Sequence, residues 1–259
     1  MKYIALLAGL VGLAAALPSP SQSQQLTRVH RRRPTQVRSS SFNQKQVSTS
    51  ALDVLNSTHT SYSLNWAGAV QVGSGFKKVV GTVTVPQASG GSGAAASAWV
   101  GIDGDTCGRA ILQTGIDFYG DGRFDAWYEL IPDGSFAFQD FGMSVGDQIR
   151  MTVEAHTSTS GVATLENLTT GQTISHDFTN PPSELCEENA EWIVEDFIMN
   201  GNLIPFANFG SVTFTEASAE GSSGTVTPAG AQIFDIIANN KVITDCKTNG
   251  DDLTCDYTG

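Results

Sequence analysis

GDQIRMTVEA (Gly146–Ala155) opens on a turn signal, Gly146 with Asp147, and continues as a run dense in β-branched and apolar side chains. KVVGTVTV (Lys78–Val85), SVTFTE (Ser211–Glu216) and IFDII (Ile233–Ile237) have the same character. Turn-forming breaks at Gly73–Gly75, Ser89–Gly93, Gly120–Gly122, Pro132–Gly134 and Asn249–Gly250 fall between such runs, and no stretch carries a long amphipathic helical period. Short β-rich runs punctuated by turns predict an all-β sandwich. From about residue 59 to 259 the chain reads as one domain without an internal repeat. A sandwich of about 200 residues buries roughly 70% of its unfolded surface, so its stability need not rest wholly on cross-links.

The chain has 259 residues, with 14 Lys and Arg against 26 Asp and Glu and a formal charge of −12. The charge is unevenly spread. Residues 1–58 hold seven basic residues against Asp53 alone, a net of +6, which leaves −18 on the other 201. A body this acidic, with scattered lysines and arginines, repels phosphate backbones, so no nucleic-acid partner is expected. Only 15% of residues are charged and 40% are hydrophobic, which permits a large core and argues against a disordered acidic chain.

Lys2 precedes an apolar run from Ile4 to Ala16, closed by Ala14, Ala15 and Ala16 with Pro18 just beyond. Residues 1–16 therefore read as a secretory signal peptide, and no later run is continuously apolar for about 18 residues, so a secreted chain with no membrane partner is expected. Residues 17–58 are Ser/Gln-rich, carry the cluster Arg28, His30, Arg31, Arg32 and Arg33, and lack aliphatic periodicity. They read as a basic prosegment, drawn to the acidic body and loosened as carboxylates protonate. The plainer reading is a flexible linker.

Four cysteines in an exported chain predict two disulfides, for which three connectivities exist. A hairpin with the loop Asn249, Gly250, Asp251 and Asp252 pairs Thr248 with Leu253 and sets Cys246 opposite Cys255; Cys107 and Cys186 then pair by elimination. The spacing of the cysteines and of His30, His59, His156 and His176 fits no metal site, and neither a metal nor a cofactor is expected. Asn56 and Asn167 begin sequons, a weak sign of glycan attachment.

The sequence lacks a GxSxG elbow, an HExxH zinc motif and the Asp-Thr-Gly or Asp-Ser-Gly of pepsin-like enzymes. Carboxylates and amides remain. Strand alternation puts Ile111, Gln113, Gly115 and Asp117 on one face; Glu191, Ile193, Glu195 and Phe197 on another; and likewise Asp125, Trp127 and Glu129, and Trp99, Gly101 and Asp103. Together they describe a polar groove walled by aromatic rings. Each element also has a commoner use: aspartates among glycines, such as Asp103, Asp105 and Asp121, cap turns, and tryptophans fill cores. Gln113 and Glu195 resist that account, because a large polar group in an apolar β run, buried without a partner, costs about 1–3 kcal/mol or more.

NWAGAV (Asn65–Val70), AWVGIDGDTC (Ala98–Cys107), ILQTGIDFYGDG (Ile111–Gly122), DAWYE (Asp125–Glu129), ATLENLTTGQ (Ala163–Gln172), AEWIVEDF (Ala190–Phe197) and PFANF (Pro205–Phe209) resemble, in this order, the glutamic peptidases, the eqolisin family of fungal acid endopeptidases. The resemblance implies a concanavalin-like sandwich of two curved antiparallel sheets and protein or peptide substrates. It also implies a catalytic dyad: Gln113 in ILQTG and Glu195 in IVEDF, with Glu195 activating a water and Gln113 stabilising the oxyanion. Trp66, Trp99, Asp103, Asp117, Asp125, Trp127 and Glu129 match positions that line or support the family's cleft. Cys107 with Cys186 and Cys246 with Cys255 match family bridges.

Two departures stand out. Leu130 and Ile131 occupy places that are aromatic in the family, which points to an altered substrate pocket, and IMNGNLI (Ile198–Ile204) lacks the cysteines found there in some members. A monomer, latent through its prosegment and most stable in acid, is expected. The competing functions are a sandwich glycosidase using Glu129 and Glu195 as its two carboxyl groups and a lectin-like binding module.

Overall fold

The computed structural model of the chain describes residues 41–45, 60–199 and 202–259. The expected signal peptide, the sequon at Asn56 and all of the prosegment except residues 41–45 lie outside them. Regular structure among the described residues is all strand and forms two large sheets.

The first sheet runs, from edge to edge, β1 (Thr60–Ser63), β16 (Gln232–Ala238), β2 (Trp66–Val72), β11 (Asn189–Glu195), β4 (Gly91–Ile102), β5 (Ile111–Gly120), β6 (Phe124–Ile131) and β7 (Phe136–Ala137), with β17 (Lys241–Val242) paired to β16. The second runs β10 (Gln172–Thr179), β9 (Ser160–Asn167), β8 (Gln148–Thr157), β3 (Lys78–Thr84), β14 (Ser211–Gly221), β19 (Asp252–Tyr257) and β18 (Thr244–Asn249), with β15 (Gly224–Val226) paired to β14. A short ribbon pairs β12 (Ile198–Met199) with β13 (Asn202–Leu203). Among the described residues, every pairing between these strands is antiparallel except that of β1 with β16.

The alternation in the sequence decides which side of each strand is dry. In β8, Ile149, Met151, Val153 and Ala155 are buried, and β9 repeats the pattern with Gly161, Ala163, Leu165 and Asn167. These side chains meet Ala98, Val100, Ile102, Leu112, Ile116, Trp192 and Val194 of the first sheet in one core between the layers. One solvated face and one packed face is the usual state of an antiparallel sheet. The first sheet departs from it: β11 is buried at every position, so the far side of this sheet is covered as well.

The C-terminal hairpin has the expected register, with Cys246 opposite Cys255 and Thr248 opposite Leu253. Both disulfides form as the sequence indicates. Asn167 is fully buried; its Nδ2, where a glycan would attach, donates to the Gly142 carbonyl and to Asp147, and its Oδ1 accepts from the N–H groups of Thr169 and Thr170. This asparagine is a loop clasp, which rules against glycan at that sequon in the folded protein.

The two bridges close loops of very different size, with sequence separations of 79 and 9. Loop-closure entropy then assigns about 4–5 kcal/mol to Cys107–Cys186 and about 2–3 kcal/mol to Cys246–Cys255. Paired Cys→Ala variants compared by denaturant unfolding are expected to rank in that order.

Candidate active site

The far face of the first sheet gathers the residues that the sequence sets apart. Three transverse rows cross it, each made of residues paired from strand to strand. One row is Trp66, Glu195, Ser97, Asp117 and Asp125 on β2, β11, β4, β5 and β6; the next is Gly68, Ile193, Trp99, Gly115 and Trp127; the third is Val70, Glu191, Gly101, Gln113 and Glu129. Glu195 and Gln113 therefore share a face, two strands apart, with Trp99 and Trp127 in the row between their own. Both are fully buried, as are Trp66, Trp99, Trp127 and Asp117, and Glu129 nearly so.

The tryptophans and glycines of the middle row depend on each other. A Cβ at Gly115 would lie 2.5 Å from the Trp99 Cβ, 2.9 Å from Trp127 Cζ2 and 2.4 Å from the Ala98 carbonyl oxygen. Only glycine lets two indoles stand on either side of β5. Trp99 meets Trp66 edge-on, with ring centroids 4.9 Å apart. Trp66, Trp99 and Trp127 form an apolar floor with Val70, Ile111, Ile131, Ile193 and Phe234.

Polar groups are fixed to that floor. Trp99 Nε1 donates to Glu195 Oε2 at 3.0 Å, and Gln113 Nε2 donates to Glu129 Oε2 at 3.0 Å. Tyr119 donates its hydroxyl hydrogen to Asp125 Oδ2 at 2.9 Å, which tethers the outer end of the first row.

Two residues that the resemblance tied to the cleft stand off its floor. Asp103 lies past the end of β4 with φ 71°, which turns its side chain out of the strand alternation. Its carboxylate accepts from the backbone N–H groups of Cys186, Glu187, Glu188 and Asn189, so it clasps the segment that leads into β11, the turn-capping use that its glycine-rich surroundings suggest. Leu130 is buried in the core between the sheets, so the pocket expectation drawn from it is corrected: a leucine there repacks the interior, and Ile131 alone of the pair joins the site floor.

Residues 41–45, within the expected prosegment, lie across this face. Ser41 donates its backbone N–H to Glu195 Oε1 at 3.4 Å, and its carbonyl accepts from Trp66 Nε1 at 3.1 Å. Phe42 packs on the tryptophan floor. Asn43 N–H bonds the Gly104 carbonyl and its amide bonds Asp105; Gln44 N–H bonds Asn65 Oδ1; Lys45 pairs with Asp105 at 2.9 Å and bridges to Ser63. Residues 41–45 are thus an extended peptide strap laid over the site.

Burial sets the protonation of several carboxyls. Asp196 is pushed up to about 7, mainly by burial and then by the charge of Glu195; burial also pushes Asp235 up to about 7, against hydrogen bonds from Thr244 and Cys246. Glu191 is raised well above the ordinary glutamate value by burial, reinforced by Asp103 and Asp105. Burial lowers His176, which stacks on Tyr128 at the open edge of the sandwich.

A sandwich whose covered face carries a buried glutamate and glutamine among tryptophans, with a peptide strap across it, is the framework of a peptide-handling enzyme. The Peptidase A4 family model matches residues 64–257, and the chain belongs to that family. It is 44% identical to aspergillopepsin-2 of Aspergillus niger over 99% of this chain and all of that protein, and 49% identical to scytalidopepsin B of Scytalidium lignicola over 78% of this chain and 81% of the other. A crystal structure of scytalido-glutamic peptidase with a transition state analog inhibitor superposes with a TM-score of 0.73 at 50% identity, covering 75% of this chain and 98% of that one. The chain is accordingly a peptidase, and the glycosidase and lectin readings fall away.

Two outcomes follow from this geometry. Gly115→Ala is expected to displace the indoles, changing the near-ultraviolet circular dichroism and lowering the melting temperature. The raised carboxyls also fix a sign. Above the ordinary aspartate value of 3.8 the unfolded chain loses protons that Asp196 and Asp235 retain to about 7, so their stabilisation is complete below the lower value and lost as pH rises to the upper. His176, lowered, acts oppositely and costs stability in acid, but it is one half-buried group against four raised carboxyls, Asp103, Glu191, Asp196 and Asp235. Melting temperature is expected to fall from about pH 4 to pH 7, less steeply in Asp196→Asn; a steady rise over that range would contradict the assignment.

Proposed function

We propose that the chain is a secreted, monomeric acid endopeptidase in which Gln113 and Glu195 are the catalytic dyad. Peptide hydrolysis needs an activated water, a donor for the developing oxyanion and a proton for the leaving amine. Glu195 takes the proton of a water that attacks the scissile carbonyl and returns it to the amine nitrogen as the bond breaks. Gln113 turns an Nε2 hydrogen towards the oxyanion while Glu129 holds the other. An amide does not titrate near ambient pH, so the glutamate is the proton carrier of the pair. The indole N–H of Trp99 fixes one glutamate oxygen, and the other activates the water once the strap is removed.

One observation carries this reading: the glutamate oxygen not engaged by Trp99 receives a peptide N–H, that of Ser41, from a chain segment lying over the tryptophan floor. A substrate backbone in the same trough brings its amide nitrogen to the same oxygen. Since residues 41–45 belong to the expected prosegment, their seat also accounts for latency: the strap excludes substrate until it is removed. The opposed charges of +6 and −18 strengthen the hold at neutral pH and relax it in acid, and Lys45 adds an ion pair with Asp105. The two disulfides agree with passage through an oxidising secretory route.

The processed wild type is expected to cleave a denatured protein in acid, with fragments followed by mass spectrometry. Glu195→Gln lowers kcat by about 10²–10⁴-fold and Gln113→Ala by about 10²–10³-fold, both with unchanged circular dichroism. Unimpaired hydrolysis by Glu195→Gln, or no cleavage by wild type at any acidic pH, would overturn the dyad. Phe42→Ala with Lys45→Ala in the full chain is expected to speed the appearance of activity after acidification.

A further inference from the structure

Glu191 sits in the same transverse row as Gln113, and only Gly101 stands between them. Both carboxyl oxygens of Glu191 are buried without a hydrogen-bond partner, and so is Gln113 Oε1, the free end of the amide whose nitrogen is held by Glu129. Their strands are two spacings apart, about 9–10 Å, a gap that two long side chains leaning over a glycine span directly or with one water. A side chain at position 101 would close that space: a Cβ there would lie 2.8 Å from Trp99 Cζ3 and 3.4 Å from the Gln113 Cβ. The sequence has only a faint sign of this role, the shared parity of Glu191 and Glu195 in EWIVE.

We propose that Glu191 is a positioning residue for the peptidase reaction, its carboxyl O–H donating across the gap above Gly101 to Oε1 of Gln113, so that the amide nitrogen is presented to the substrate oxygen. An amide is nearly symmetric in shape, and with its oxygen unpartnered nothing on that side distinguishes it from the amide turned end for end. A donor on the Glu191 side and an acceptor, Glu129, on the other select one orientation. The charged groups that bear on Glu191 are Asp103 and Asp105 from the loop after β4, the latter paired with Lys45 while the strap is seated, and Glu129 in its own row on β6; β2 offers only Val70 there. These acids and complete burial favour the neutral, donating form.

The proposal rests on the dyad assigned above, and its test keeps the two apart. In the processed enzyme, Glu191→Leu removes the donor at similar volume and lowers kcat about tenfold with KM little changed, whereas Glu191→Gln, which still donates, stays within about threefold of wild type. Infrared difference spectra of wild type against Glu191→Gln near pH 6, where surface carboxylates are ionised, show the carbonyl stretch of a buried neutral carboxylic acid in wild type alone. Unchanged kcat in a folded Glu191→Leu, equal loss in both variants, or absence of that band would overturn the assignment. Should the leucine variant fail to fold, the glutamine variant and the band decide. If instead the dyad is wrong, Glu195→Gln remains active whatever Glu191 does.

Discussion

Burial of the first sheet on both faces is the constraint from which the chemistry follows. A peptidase cleft on the solvated side of an ordinary antiparallel sheet would hold its carboxylates in water, with ordinary acidities and mobile side chains. Here the strand that carries Glu195 is buried from end to end, and Glu191, Gln113, Asp117 and Glu129 are at most 1% exposed. In such surroundings a carboxyl group must have donors or hold a proton. Asp103 has four backbone donors and Glu195 has the Trp99 indole, whereas Glu191 has none and keeps its proton. The environment thus divides the acids into those held by donors and those pushed towards the neutral form.

The same burial explains why the face is built from tryptophan and glycine side by side. Large rings on neighbouring strands collide unless the strand between them is empty at that height, and Gly115 meets that condition for Trp99 and Trp127. One row further on, Gly101 leaves the room that Trp99 and the Gln113 stem occupy. The indoles displace water from the floor, and each electrostatic contact above a dry floor is stronger than it would be in solution. Packing and catalysis are therefore one requirement, because a change that admits water weakens every polar contact on the floor at once.

Much of this arrangement was legible from strand alternation alone. The parity of ILQTGID, DAWYE and EWIVED places Gln113, Trp127, Glu129 and Glu195 on the face where they stand, and the hairpin around Asn249 and Gly250 gives the register that joins Cys246 to Cys255. Parity also separates Leu130 from Ile131, a distinction that comparison with aromatic family positions obscured. What alternation cannot supply is register between strands distant in sequence, so the Glu191–Gly101–Gln113 row had no signature beyond a shared parity. It fails too where the backbone leaves the extended region, as at Asp103 with its positive φ. Asn167 matched a glycosylation motif because a sequon records three residues and not the loop that consumes the amide.

The strap shows how a short peptide is held here. Of its contacts, the ion pair is the least decisive, since Lys45 is half exposed although the Asp105 carboxylate is not, and exposed pairs contribute roughly 0–1 kcal/mol. The remaining bonds run mainly through backbone groups of Ser41, Phe42, Asn43 and Gln44, which any sequence possesses, together with one aromatic side chain on an apolar floor. A trough that grips the main chain suits an endopeptidase that must accept varied sequences, and it makes an equally serviceable seat for the chain's own segment. What distinguishes the strap from an arbitrary peptide in this trough is its side chains: Phe42 on the tryptophan floor and Lys45 against Asp105.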